Sequence, residues 1–179
     1  VEDPTGGWID TAATAEVLAA AINKLGGFDL ILCGEATIDG FTSHVGPRLA
    51  EKLGIPAIMY ARSLNVEDGA VVAERDLEEA YETVKAPLPA LVSVTREINT
   101  PRIPTLMAIL KASKKPMTQW KLEDLGLSRK KLEEISQLNF VGLEGFTVER
   151  KRVVIKDKPV EEAVEELVSY LFKEKVIGV

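Results

Sequence analysis

The chain has 179 residues, 46% of them hydrophobic, with 22 basic and 28 acidic side chains and a formal charge of −6. That length and apolar content suit one domain with a sizeable core and at most an appended arm, and the acidic balance speaks against a nucleic-acid partner, which needs a basic face. A single cysteine excludes an internal disulfide or a cysteine-rich metal site, a single histidine leaves no histidine metal site or Ser-His-Asp triad to expect, and without an apolar run of membrane-spanning length the expectation is a cytoplasmic protein with no direct membrane insertion.

Val1 to Gly7 reads as a loop, with Asp3, Pro4, Gly6 and Gly7 as turn residues. Asp10 or Thr11 then caps a helix over Ala12 to Lys24, whose apolar Leu18, Ala21, Ile22 and Leu25 recur at helical spacing before Gly26-Gly27 stops it. The next stretch, FDLILCGEATIDGFTSHVGPRLAEKLGIPAIMY, organises the rest. Leu30 to Cys33 is a short apolar run of buried-strand length. A loop with Gly34, Gly40 and Gly46 follows, and then a helix with Pro47 in its first turn and Gly54 just past its last. Ile55 to Tyr60 is a second strand. Strand, glycine-rich loop, helix and strand make the unit that builds parallel sheets. A ligand in such sheets sits beyond the carboxyl end of a strand, against a helix N-terminus, here 34–46. Free N–H groups from Ser43 to Gly46 suit a phosphate. The spacing is neither G-x-G-x-x-G nor G-x-x-x-x-G-K-[ST], so an ordinary loop needing glycine for its turns stands beside that reading.

Glu67-Asp68-Gly69 turns a hairpin between Leu64-Asn65-Val66 and Ala70-Val71-Val72. Ala80 to Val84 alternates, and Pro87 and Pro89 bracket the approach to a buried strand, Ala90 to Val94. An antiparallel excursion therefore leaves the parallel core and returns to it. The two prolines of Asn99 to Pro104 forbid a regular helix there. Thr105 caps a helix from Leu106 to Ser113 that is apolar on more than one side, either a core helix or an exposed anchor for a partner. Met117 to Leu122 reads as a strand or extended arm, and Ser128 caps a short helix, Arg129 to Ile135. Val148 to Ile155 reads as a hairpin and strand, its charged run Glu149 to Arg152 a solvated turn. Pro159 opens a last amphipathic helix, Val160 to about Lys173.

Individual side chains yield no acid/base pair, nucleophile or metal cluster. Glu35 faces the crevice without a partner for general acid/base work. Asp39 either bonds the loop's own N–H groups or a nucleotide hydroxyl. His44 is a surface or phosphate-contacting residue, Cys33 a core residue, and Arg48 either reaches a phosphate or makes an exposed salt bridge.

IDGFTSHVGPRLAEKLGIP resembles the nucleotide-binding loop of the electron transfer flavoprotein beta subunit, the family that includes the FixA proteins. DLILCG (Asp29 to Gly34) and LPALVSVTREINTPRIPTLMAILKASKK (Leu88 to Lys115) resemble it too, so the likeness runs from about Asp10 to Trp120 and loosens afterwards. Members of that family usually begin with a further strand–helix–strand portion, which is missing here. The resemblance implies an α/β fold: a parallel-sheet, three-layer, Rossmann-like adenine-nucleotide-binding domain over 1–120, with an antiparallel excursion and a C-terminal arm over 121–179 as subunit interface. It implies an electron carrier rather than a stand-alone catalyst, with FAD held mainly by an alpha subunit. An adenine nucleotide, AMP or a second FAD, would sit in this chain's loop, on Cys33, Gly34, Glu35, Ala36, Thr37, Ile38, Asp39, Gly40, Phe41, Thr42, Ser43, His44, Val45 and Gly46. The loop looks most like the bifurcating pattern IDGDTAQVGP, but Phe41, Ser43 and His44 stand where that pattern has Asp, Ala and Gln. In the family, residues near Asp10 and Thr11 lie close to the nucleotide in some members; here capping is the reading preferred for them. The region Val94 to Pro116 matches the loop that docks dehydrogenases by a leucine, which maps to Leu106, with Met107, Ile109 and Leu110 beside it; Met107 replaces a usual proline. Acyl-CoA or other dehydrogenases would then deliver electrons, and a quinone reductase-type protein would accept them. The rivals are an adenine-nucleotide-binding sensor or stress-type domain without redox role, which would not need the Asn99 to Lys115 block, and an adenine-nucleotide hydrolase.

Overall fold

The computed structural model describes residues 1–2, 10–138, 141–142, 144–145, 147 and 150–178. The turn expected within residues 3–7 lies outside them. The chain forms two compact units, Val1–Phe140 and Val141–Val179.

In the first unit, helix α1 (Thr11–Leu25) starts where Asp10, in extended backbone, accepts from the N–H groups of Ala12 and Ala13. Strand β1 (Leu30–Gly34) leads through a loop to α2 (Val45–Leu53), which ends at left-handed Gly54. Then come β2 (Ala57–Glu67), β3 (Ala70–Asp76), β4 (Tyr81–Pro87) and β5 (Ala90–Val94). The sheet order is β1-β5-β2-β3-β4. β5 runs parallel to both β1 and β2, whereas β2-β3-β4 is antiparallel. The chain thus has the expected α/β fold with an antiparallel excursion.

β2 serves both halves of the sheet as one strand, where the sequence reads as two pieces. It pairs with β5 at one end and with β3 at the other, and its register shifts between Ile58 and Ala61. Tyr60 sits in that bulge at φ 63°, left-handed backbone that bulky residues avoid. Side chains take up the freed backbone groups: Tyr60 N–H donates to Ser93 Oγ (3.0 Å) and Arg75 Nε donates to the Met59 carbonyl (3.0 Å). The hairpin turn at Asp68 and Gly69 has both residues at positive φ, the two-residue geometry that Asp-Gly favours.

Among the described residues the core has three parts. On one sheet face, Ala15 and Ala19 of α1 and Leu49 and Ala50 of α2 pack with Leu91 of β5. On the other, Ile58, Val71, Ala73, Ala86 and Val92 pack together. The described helices that pack on the sheet in this unit lie on the first face, so two of the three expected layers are present; opposite them, Leu32 of β1 is 56% exposed. The third cluster joins Ala13 of α1 to Leu122, Leu127 and Leu132. Residues 121–138, read from sequence as the start of a separate arm, therefore pack in the first unit. α1 accommodates neighbours on two sides because its contact positions are mostly alanine, which keeps backbones close. Met117 to Leu122, expected as a strand or extended arm, makes one isolated parallel bridge, Glu2 to Lys121, and Leu122 is buried at the start of a 3₁₀ turn, Glu123–Leu125.

Two capped helices follow the expected starts. α3 (Leu106–Ser113) has Ala108 N–H donating to Thr105 Oγ1, and α4 (Arg129–Ile135) has Lys131 N–H donating to Ser128 Oγ. In the second unit, α5 (Val160–Lys173) follows Pro159, with Lys151 paired to Glu174 and Lys158 to Glu166. Residues 150–155 form no strand, contrary to the expected hairpin and strand; Val148 and Glu149 lie outside the described residues. Arg150, Lys151 and Arg152 put three like charges in a row, which a strand without a partner does not offset.

Candidate functional site

β1 ends at Gly34, level with Val94 of β5. The chain leaves the sheet there and returns at α2, and beside this loop lies a cavity of about 570 Å³. That volume lies within the usual range of small-molecule sites. All the expected loop residues line it except Ile38 and Phe41. Those two point away, 102% and 73% exposed.

A local turn shapes the loop. Phe41 N–H donates to the Thr37 carbonyl (3.0 Å), and Gly40 N–H donates to Thr37 Oγ1 (3.3 Å). The Thr37 hydroxyl, the Gly40 N–H and its own N–H hold the Asp39 carboxyl below the usual carboxylate range. The loop's glycines do not supply its left-handed turns: Phe41 (φ 43°) and Ser43 (φ 54°) do, and Gly34, Gly40 and Gly46 do not. Both strained positions are among those where the chain departs from the bifurcating-type loop pattern. Gly46 is small for another reason. A Cβ there would stand 3.2 Å from Cys33 Sγ and 3.5 Å from Met59 Sδ, so a side chain would require Cys33 or α2 to give by a few tenths of an ångström.

The start of α2 has no side-chain cap. His44 at its N-cap has helical backbone (φ −90°, ψ −23°) and makes no capping bond. Val45 and Gly46 line the cavity, so uncapped N–H groups and the positive helix end border it. Among the described residues the lining carries the carboxylates of Asp10, Glu35 and Asp39 and the imidazole of His44, with no Lys or Arg. Backbone, not side-chain cations, is what an anion would meet. Burial pushes the Cys33 thiol up; Cys33 is half-buried, packs beside the cluster under α1 and α2 and also lines the cavity. Arg48 does not line the cavity and forms no ion pair among the described residues.

Four lining residues come from outside the expected loop: Asp10, Thr11, Thr14 and Leu138. Asp10 performs the expected capping. Its carboxylate is also held below the usual range: burial acts to raise it, and the N–H groups of Ala13, Gln137 and Ala12 outweigh that. Thr14 follows Asp10 by one helical turn, and its hydroxyl donates to the Asp10 carbonyl (2.8 Å), so helical period could have found it. Nothing local could have found Leu138.

The four expected docking residues lie away from the cavity on α3. Leu106, Met107, Ile109 and Leu110 are all exposed, and α3 buries no residue. Among the described residues, then, nothing covers α3 as a core helix would be covered. No helix among the described residues is long and apolar enough to cross a membrane.

Residues 1–125 match the family described as the electron transfer flavoprotein domain. The chain is also 38% identical, over 128 residues, to the caffeyl-CoA reductase-Etf complex subunit CarD of Acetobacterium woodii. The aligned part is 72% of this chain and 49% of that protein, so the chain spans about half the length of this relative.

Proposed function

The chain belongs to the electron transfer flavoprotein domain family and is beta-like within it, and from that premise we propose that it is one subunit of a heterodimeric electron carrier. An adenine nucleotide, AMP or a second FAD, occupies the cavity beside the loop. The observation that carries this is the uncapped start of α2 opening onto a cavity lined by that loop. Gly46 lets the helix start lie close to the sheet, and the first-turn N–H groups receive a phosphate without help from a cation. Asp39 keeps the turn in shape through local bonds. FAD, shared with an alpha subunit, supplies the one- and two-electron chemistry when bound. This chain's own residues bind, orient and dock; they are not catalysts.

Docking falls to α3. Its exposed leucines, isoleucine and methionine form an apolar anchor of the kind that seats in a partner's groove. Acyl-CoA or other dehydrogenases are the donors in this reading, and a quinone reductase-type protein is the acceptor.

Denaturing the native complex and counting released nucleotides tests the reading. One FAD with one AMP means a simple carrier, and two FAD mean that the loop holds a second flavin. Adenine nucleotide with no FAD in any preparation leaves a sensor domain instead. Leu106→Ala is expected to abolish reduction by the cognate dehydrogenase while the fold is kept; unchanged kinetics would remove the docking role.

A further inference from the structure

Asp10 is 3% exposed, and both of its carboxylate oxygens are engaged. Oδ1 accepts from Ala12 N–H (3.0 Å) and Ala13 N–H (2.9 Å) and caps α1. Oδ2 accepts from Gln137 N–H (2.8 Å), contributed by the segment that follows α4. Capping needs only one oxygen, which Ser or Thr supplies as well. The second bond reaches across the chain and has no part in starting a helix. With three N–H groups on it, the carboxylate has little capacity left for a ligand, and its charge would repel a phosphate.

The second bond has a consequence at the cavity. Leu138 is the neighbour of Gln137 and lines the cavity together with Asp10. The segment is fixed from three directions. Ser136 N–H donates to the Leu132 carbonyl (2.9 Å), Ser136 Oγ donates to the Leu138 carbonyl (3.3 Å), and Leu132 is fully buried against Ala13 of α1. Asp10 Oδ2 adds a tie from a residue that itself lines the cavity. Leu138, 61% exposed without a ligand, thereby offers an apolar side chain to a lining whose loop residues are mostly small or polar, and small-molecule sites are lined predominantly by apolar groups.

We propose that Asp10 is a positioning residue of the nucleotide cavity: through the Gln137 N–H it latches Leu138 in place as the wall that holds a bound adenine nucleotide. This rests on the reading that the cavity takes such a nucleotide. Asp10 touches no ligand; it acts through Leu138.

Asp10→Asn separates latch from cap. The amide keeps one acceptor for α1, and Asn caps as well as Asp. Its NH2 group then faces the Gln137 N–H, donor against donor. The full-length protein, with any subunit that co-purifies, is loaded with labelled AMP and, in parallel, with FAD, and release is followed after a chase with unlabelled nucleotide. Asp10→Asn is expected to release the nucleotide about tenfold faster, the scale of one charge-assisted hydrogen bond. Leu138→Ala, which keeps the latch and removes the wall, is expected to do the same, and the double variant to add little. Leu138→Met, apolar and of similar volume, is expected to keep release slow. A merely structural role for Asp10 would lower the thermal midpoint and leave release unchanged. If the wild type retains nucleotide and both Asp10→Asn and Leu138→Ala release it at the wild-type rate, the latch is overturned. If the wild type binds neither AMP nor FAD, the nucleotide reading falls first and the latch falls with it.

Discussion

α2 and α3 are of similar length, nine and eight residues, but their burial runs opposite to their hydrophobicity. α3 is the more apolar, has a threonine cap, and buries nothing. α2 carries proline, glycine and charges, has no side-chain cap, and buries Gly46, Leu49 and Ala50. An exposed helix must hold itself together, which good helix formers and a cap help it to do. A helix pressed on a sheet is held by packing and can leave its first N–H groups unspent for a ligand. Local strength and burial therefore answer different questions. In α3 the apolar residues face outward; in α2 they face the core, and its uncapped end borders the cavity.

The largest expected effect is on the buried side. Leu91 is fully buried under α1 and α2, and Leu91→Ala should destabilise the protein by about 2–5 kcal/mol in urea unfolding. Leu110→Ala on α3 should stay within about 0.5 kcal/mol. A loss comparable to that of Leu91→Ala would mean that α3 is covered in solution and would break the contrast. Next comes Gly46→Val, whose added methyls meet Cys33 and Met59; it should lose about 1–3 kcal/mol and nucleotide binding together. Lost stability with full binding would show that α2 need not lie so close to the sheet.

Thr105→Ala tests the claim that α3 relies on its cap. It should weaken α3 by about 1 kcal/mol, read as faster hydrogen exchange at the Ile109 amide, which bonds the Thr105 carbonyl, with the global midpoint unmoved. The smallest effect is electrostatic. Asp10 is held below its ordinary value by the hydrogen bonds that outweigh its burial, and Glu16 by Lys52, first through a hydrogen bond, and by Lys131. Both carboxyls are depressed in the folded state, so their contribution is complete above the unfolded values of about 4 and is lost as pH falls through the folded ones. Urea midpoints should hold steady from neutral pH to about 5 and fall below about 4, and Asp10→Asn should flatten part of that fall.

Much of this was legible locally. Asp10, Thr105 and Ser128 cap the helices they were expected to cap, Gly54 ends α2, and Asp68-Gly69 turns the hairpin. Each signal depends on backbone groups within four residues, so chain order suffices. The loop was legible as a position but not as a conformation: the strain falls on Phe41 and Ser43, because the packing at both ends of the loop and not glycine content sets its path. β1 misled in another way. Its unbroken apolar run reads as a buried strand, yet among the described residues it pairs with β5 alone, and Leu32 is exposed.

By itself, then, the sequence determined the helices and their ends, the parallel unit around the loop, the hairpin and the family. Periodicity, caps and turn residues act over short stretches, and the family motifs are contiguous. Tertiary structure alone decided that α3 is exposed, that one strand serves both halves of the sheet, that residues 121–138 pack under α1, and that Asp10 bonds Gln137. Those depend on which surfaces meet after the chain has closed on itself, and burial between distant segments leaves no mark on the spacing of either one.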